Sequence, residues 1–124
     1  MKRIATEKAP AAIGPYSQGY EVNGMVFTSG QLPINMENGV LEEEIKAATL
    51  ASLSNVKAIL EAAGLGVDDI VKTTVFLRDM NDFAEMNGMY QEFFGTHAPA
   101  RSTVQVAKLP KDAIVEIEAI AARK

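Results

Sequence analysis

Between residues 42 and 63, apolar and small side chains recur at intervals of three and four residues. This spacing places them on one face of an α-helix, which completes a turn every 3.6 residues. The members of this face are Ile45, Ala48, Ser52, Val56, Ile59 and Ala63, widened by Leu53 and Leu60. Acidic residues precede the periodic stretch and Gly64 follows it, as is usual at helix starts and stops. We predict a helix over residues 42–63.

Alternation with a period of two predicts the first strands. Residues 18–22 and 25–29 flank Asn23-Gly24, a pair suited to the positive φ angles of a two-residue hairpin turn. Residues 70–79 alternate and are rich in β-branched side chains, which predicts another strand. We expect one face of it to point toward the core, formed by Val71, Thr73, Val75 and Leu77.

The remaining periodic segments predict one more helix and two closing strands. The helix runs from about Asp82 to Phe94, with Gly95 as its stop signal. One face of this helix gathers Phe83, Met86, Tyr90 and Phe93. Residues 100–106 and 114–121 alternate as strands. The order is then two strands, helix, strand, helix and two strands, which favours an α+β fold: a single domain over residues 1–124, with a mixed β-sheet and two helices packed on one face.

Side chains of the two closing strands alternate between the faces of the sheet. We expect the more apolar sets to meet the helices, namely Ser102, Val104, Val106, Val115, Ile117, Ala119 and Ala121. The opposite face would then carry Arg101, Thr103, Gln105, Glu116 and Glu118, beside Phe76 and Ile120. This mixed face is either a solvated sheet surface with scattered ion pairs or a subunit interface that holds a polar pocket.

Composition narrows the possible functions. The 124 residues are 48% hydrophobic, enough for one core, and contain no cysteine and one histidine, so they offer no disulfide, thiolate nucleophile or zinc site. A net charge of −4 opposes nucleic-acid binding. No apolar run reaches the roughly 20 residues of a membrane span, and the N-terminus lacks the apolar core of a signal peptide. We expect a cytoplasmic protein without a membrane partner, a metal or a cofactor.

Several long stretches carry a family resemblance that covers nearly the whole chain. They are "APAAIGPYSQGYEVNGMVFTSGQLP", "NVKAILEAAG", "VFLRDMNDFAEMN" and "PARSTVQVAKLPKDAIVEIEAIA". The sequence resembles the Rid family of reactive-intermediate deaminases, the YjgF-type proteins, and most closely its RidA-like subgroup. The resemblance implies a chorismate-mutase-like trimeric barrel, with helices outside and sites in the clefts between subunits.

The resemblance also implies roles for individual residues. Arg101 would hold the carboxylate of a small substrate, since a guanidinium matches a carboxylate with two parallel hydrogen bonds; alternatively it pairs with a glutamate across the sheet. Glu116 would orient a water and accept its proton. Tyr16 and Ser29 would hydrogen-bond the imine nitrogen, the ammonia or the water. Gly30 would allow close backbone approach, or simply serve a turn, and Asn87 would serve substrate binding or the interface.

Thr103 departs from the family pattern, because many members carry a cysteine at that position. A contribution of its backbone N–H to carboxylate binding would survive the change, whereas thiol-dependent redox behaviour would not. The implied activity is hydrolysis of 2-enamino and 2-imino acids, such as 2-iminopropanoate and 2-iminobutanoate, to 2-keto acids and ammonia. The alternatives are a regulatory module that binds small 2-keto acids without turnover and, against the charge balance, an endoribonuclease or translation inhibitor.

Overall fold

The structure is a computed structural model that describes residues 1–124. It contains two α-helices, α1 and α2, which span Ile45–Ala62 and Phe83–Phe94. Its eight strands, β1 to β8 in chain order, span Lys2–Ile4, Gly19–Val22, Met25–Thr28, Ile34–Asn35, Val40–Leu41, Ile70–Leu77, Ala100–Gln105 and Val115–Ala122. No helix has the length and apolar character needed to cross a bilayer.

Six strands form one sheet, in the order β1-β2-β3-β8-β6-β7. Only β6 and β7 run parallel, and α2 provides the crossover that a parallel pair needs. The predicted α+β fold, a mixed sheet with two helices packed on it, is confirmed. The predicted hairpin is present as β2 and β3, whose turn holds Asn23 at φ 51° and Gly24 at φ 77°.

The predicted long helix is α1, which begins three residues later than expected. The Glu44 carboxylate accepts a hydrogen bond from the Lys46 backbone N–H at 2.6 Å and so caps the helix start. Its predicted face is buried in a hydrophobic cluster of 21 residues between the helices and the sheet. This layer fixes one side of the sheet as the helix face, and the opposite side is the outer face.

The expected position of Val71 in the core is wrong. A β-bulge between β6 and β8 shifts their register between Ile70 and Lys72. Such a bulge reverses the side-chain alternation at that point. Ile70 is therefore buried, whereas Val71 is 45% exposed.

The expected face assignment of β7 is also wrong. In the parallel register Thr73 lies beside Arg101 and Val75 beside Thr103, so these side chains share the buried helix face. Gln105 also lies on the helix face, because its side-chain oxygen accepts a hydrogen bond from the Met80 backbone N–H just before α2. Val104, expected in the core, lies on the outer face and is 43% exposed. Because β7 is an edge strand, a long polar side chain can leave its helix face sideways into solvent.

Three strands, β1, β4 and β5, were not predicted. They are three, two and two residues long, too short to show a period of their own. The first pairs with β2 at the sheet edge, and the other two form a small separate hairpin beside α1.

Candidate active site

A cavity of about 570 Å³ opens beside the start of β8. It brings together four of the predicted site residues, which are distant along the chain: Tyr16, Ser29, Gly30 and Glu116. Lys111, which sequence analysis did not single out, also lines it. Its wall combines apolar side chains with a few polar ones, as is usual for a small-molecule site.

A one-residue bulge after β3 aims Ser29 and Gly30 into this cavity. Phe27 pairs with Ile120 and Gln31 with Ile117, so four steps along one chain segment match three along β8. The Thr28 hydroxyl fills the gap by accepting a hydrogen bond from the Ala119 backbone at 3.0 Å. Bulges of this kind re-aim side chains next to active sites.

Ser29 and Tyr16 differ in how firmly they are held. The Ser29 hydroxyl donates to the Ser17 carbonyl at 2.5 Å, which leaves its oxygen free to accept a hydrogen bond from a ligand. Tyr16 lies two residues after Gly14, whose φ of 125° favours glycine, and the Tyr16 side chain is 53% exposed at the cavity. Tyr16 can therefore adjust to a ligand, whereas Ser29 is fixed.

Gln18 holds the segment that forms one wall of the cavity. Its side-chain oxygen accepts from the Thr6 backbone N–H at 2.6 Å, and its nitrogen donates to the Thr6 and Pro10 carbonyls at 3.0 and 2.7 Å. The side chain is buried. An irregular segment thereby acquires a defined position from one amide, a role that no local sequence pattern indicates.

Glu116 provides the carboxylate of the cavity. It lies half-buried on the outer face of β8, opposite Phe76 of β6. Burial raises the pKa of its carboxyl group above the ordinary 4.5, and the negative charge of Glu118 raises it further. A raised pKa makes a carboxylate a better proton acceptor and, once protonated, a usable donor near neutral pH.

Gly30 is required by the position of Glu116. A β-carbon at residue 30 would lie 2.7 Å from the Glu116 carboxyl carbon and closer still to its oxygen. Its backbone does not have a positive φ, so close approach rather than turn geometry explains the glycine. The sequence prediction left both explanations open, and the contact favours the first.

Gly30→Ala is expected to displace the Glu116 carboxylate and to lower the rate of any reaction that depends on it by about 10²-fold. A matched control is Gly66→Ala, because a β-carbon there meets nothing within 4 Å. Turnover by both variants should be measured alongside thermal unfolding. Equal activity of Gly30→Ala and the control would show that the carboxylate position is unimportant.

Arg101 and Asn87 lie at a different place. They line a second cavity of about 420 Å³ on the helix side, together with Tyr90 and His97. The Arg101 guanidinium donates to the Asn87 side-chain oxygen at 2.7 Å, so the two are in direct contact. No carboxylate pairs with Arg101, and the predicted alternative of a salt bridge across the sheet is absent.

The structure thus separates the predicted site residues into two groups on opposite faces of the sheet. Glu116 shares the outer face with Phe76 and Val104, whereas Arg101 and Thr103 share the helix face with Thr73. The Thr103 hydroxyl is buried without a hydrogen-bond partner. No group of three or more acidic or histidine side chains is placed to hold a metal ion. One chain alone does not bring Arg101 to the Glu116 cavity.

Comparison with known proteins shows the family to which the sequence belongs. The family model described as Endoribonuclease L-PSP matches residues 6–123. The chain belongs to the Rid, or YjgF-type, family. Among relatives of this Rid protein, the 2-iminobutanoate/2-iminopropanoate deaminase of Salmonella typhimurium is 59% identical, over 99% of this chain and 98% of the relative.

Solved structures agree with this placement. The crystal structure of the YjgF gene product from E. coli superposes with a TM-score of 0.96 at 57% identity, covering all of both chains. The crystal structure of E. coli TdcF with bound serine superposes with a TM-score of 0.95 at 53% identity, also covering all of both chains. The fold of this Rid protein is therefore that of its family throughout.

Proposed function

We propose that this Rid protein is a deaminase that hydrolyses 2-imino and 2-enamino acids, such as 2-iminobutanoate and 2-iminopropanoate, to 2-keto acids and ammonia. The observation that carries the proposal is Glu116, a half-buried carboxylate of raised pKa that opens on a small-molecule cavity. The name of the Salmonella relative supports the substrate. Serine, bound in the TdcF structure, shares with these substrates a carboxylate next to a nitrogen-bearing carbon.

The complete site is proposed to form between two copies of the chain, in a homotrimer. Within one chain Arg101 and Glu116 lie on opposite faces, which supports a site that takes its arginine from a neighbouring subunit. The outer face also exposes large apolar side chains beside its charges, with Tyr20, Phe27 and Val104 each about 40% exposed. A second subunit that covers this face would bury them and bring its own Arg101 to the Glu116 cavity.

The chemistry follows from the two groups. Arg101 holds the substrate carboxylate, with the Thr103 backbone as a further donor, and the enamine tautomerises to the imine. Glu116 accepts a proton from water while the water oxygen attacks C2 of the protonated imine, which gives a neutral tetrahedral carbinolamine. The protonated Glu116 then returns this proton to the nitrogen. As the C–N bond breaks, the carbinolamine hydroxyl gives its proton to Glu116, which passes it to the departing ammonia, so the 2-keto acid and ammonium leave. Ser29 and Tyr16 hydrogen-bond the nitrogen or the water, and no step uses a cofactor.

The proposed setting is the cytoplasm, where dehydratases that act on serine and threonine release these imines. The whole chain, residues 1–124, is proposed to act as one domain of this assembly. To act on several small imino acids, the site must recognise the carboxylate and the C2 nitrogen that they share and accept substrate side chains of different size.

The test couples a threonine dehydratase to the purified protein and follows the decay of the imine directly. Accelerated decay that scales with protein concentration supports the deaminase. If decay proceeds at the uncatalysed rate while calorimetry detects bound 2-ketobutyrate, the protein is instead a sensor of 2-keto acids. Absence of both turnover and binding contradicts both functions.

The pH dependence of turnover provides a further prediction. Glu116 must be ionised to accept a proton, so the rate falls as pH decreases through its pKa, with a midpoint above 4.5. Glu118→Gln removes the charge that adds to the effect of burial, and it should move this midpoint to lower pH. Glu92→Gln, which removes one charge from an exposed position on α2, is the control. An unshifted midpoint in Glu118→Gln would contradict the coupling.

A further inference from the structure

The Arg101 guanidinium lies over two aromatic rings of α2. Its central carbon is 4.7 Å from the centroid of the Tyr90 ring and 5.5 Å from that of Phe83. Asn87 lies on the same helix, and its side-chain oxygen accepts the Nη1 hydrogen bond already described. Three residues of one helix therefore contact the guanidinium, and none of them is acidic.

Tyr90 is itself held in place by contacts with Thr73 and Phe94. Its hydroxyl group shares a hydrogen bond of 2.6 Å with Thr73 Oγ1, and both residues are buried. Its ring packs on Phe94 with centroids 4.6 Å apart. Burial raises the pKa of the Tyr90 hydroxyl, so the group remains neutral and acts as an anchor. Thr73 is the neighbour of Arg101 in the β6–β7 register, so the ring is tied to the strand that pairs with the one carrying the arginine.

We propose that Tyr90 is a positioning residue for the carboxylate site, assisted by Phe83 and Asn87. The inference rests on the proposed function and adds Tyr90 and Phe83, which have no other role in it. A free arginine side chain loses considerable rotamer entropy when it binds a ligand. An arginine already held on a ring loses less at that moment, so the ligand binds more tightly.

The arrangement also restricts how a ligand can approach. The Tyr90 ring lies against the guanidinium and Asn87 takes one Nη1 hydrogen, so the edge of the guanidinium that makes neither contact is left for a planar carboxylate. The site therefore favours ligands with a flat carboxylate that can enter along that edge. A lysine cannot reproduce this, because an ammonium group offers no planar fork.

A double-mutant cycle tests the proposal on the assembled protein, with calorimetric titration of 2-ketobutyrate as the readout. Tyr90→Leu is expected to weaken binding about five- to thirtyfold, as expected for loss of a partly desolvated cation–π contact. Tyr90→Phe keeps the ring and should stay within about threefold of wild type. In the Arg101→Ala background, Tyr90→Leu should have no further effect, because its action passes through the arginine. In turnover, KM should rise while kcat changes little.

The outcomes separate the inference from the function it rests on. If Arg101→Ala leaves affinity unchanged, the proposed carboxylate clamp is wrong and the role of Tyr90 falls with it. If Arg101→Ala weakens binding but Tyr90→Leu is equally harmful with and without the arginine, Tyr90 is only structural and the inference alone is overturned. Should Tyr90→Leu fail to fold, Phe83→Leu replaces it in the same cycle, because the Phe83 ring also lies against Arg101 and is only half-buried.

Discussion

Glu116→Gln is expected to lower kcat for imine hydrolysis by about 10²- to 10⁴-fold, the usual contribution of a positioned general base. A glutamine side chain has the same size and shape as glutamate, but its amide group cannot accept a proton from water. The Gly30 contact leaves room for a group of the same size, so the packing should survive the change. KM should change little, because Glu116 acts on the water and not on the substrate carboxylate.

The measurement is single-turnover imine decay at neutral pH, compared with titration of 2-ketobutyrate. Glu118→Gln is the matched control, since it removes the same charge from the same strand and face but does not line the cavity. A large rate loss in Glu116→Gln with retained 2-ketobutyrate affinity places the defect in chemistry. If Glu116→Gln retains more than about a tenth of the wild-type rate, another group must activate the water.

The elements of the fold could be predicted where periodicity was strong. The α1 helix and the β2–β3 hairpin have an amphipathic face and an Asn-Gly turn, and both are present within a few residues of the predicted bounds. The position of Val71 could not be predicted, because a bulge has no signature in the alternation that it interrupts. The shortest strands, such as β4 with two residues, are defined by tertiary pairing alone.

The face of β7 was mispredicted for a physical reason. Hydrophobicity assigned Val104 to the core and Arg101 to the other side, which is the usual outcome for a central strand. At an edge strand beside a crossover helix, the helix face instead ends at solvent, where aromatic rings of α2 can hold a cation. Parallel pairing with β6 decides the register, and that pairing is not visible in the alternation of β7 alone.

The candidate site depended on the family resemblance more than on local pattern. Tyr16, Ser29 and Glu116 belong to three segments that only the sheet and its bulge bring to one cavity. Their approach follows from β3 pairing with β8 across about 90 residues of chain, as the Ala119 to Thr28 hydrogen bond shows. Tyr90 and Gln18 were missed because their polar groups bind neighbouring residues and not the cavity directly, so the pattern alone placed Tyr90 on the apolar face of a helix and Gln18 in a strand.

Arg101→Ala is expected to lower kcat/KM by about 10²- to 10³-fold, mainly through KM, because two charge-assisted hydrogen bonds to the substrate carboxylate are lost. Arg101→Lys should recover only part of this, since the ammonium group has no fork. The 2-ketobutyrate affinity should fall in parallel. Unchanged kinetics of Arg101→Ala would remove the arginine from the site.

Mixing the two inactive variants tests how the site is assembled. If each site takes Glu116 from one subunit and Arg101 from the next, every mixed trimer of Arg101→Ala and Glu116→Gln contains one intact site. Random assembly of equal amounts makes about three quarters of the trimers mixed, so about a quarter of all sites should be active. Co-refolded protein should therefore regain about a quarter of the wild-type rate, whereas separately folded variants mixed afterwards should not. Failure of co-refolding to restore turnover would contradict a site shared between subunits. The positions of Arg101 and Glu116 on opposite faces of the sheet would then need another explanation.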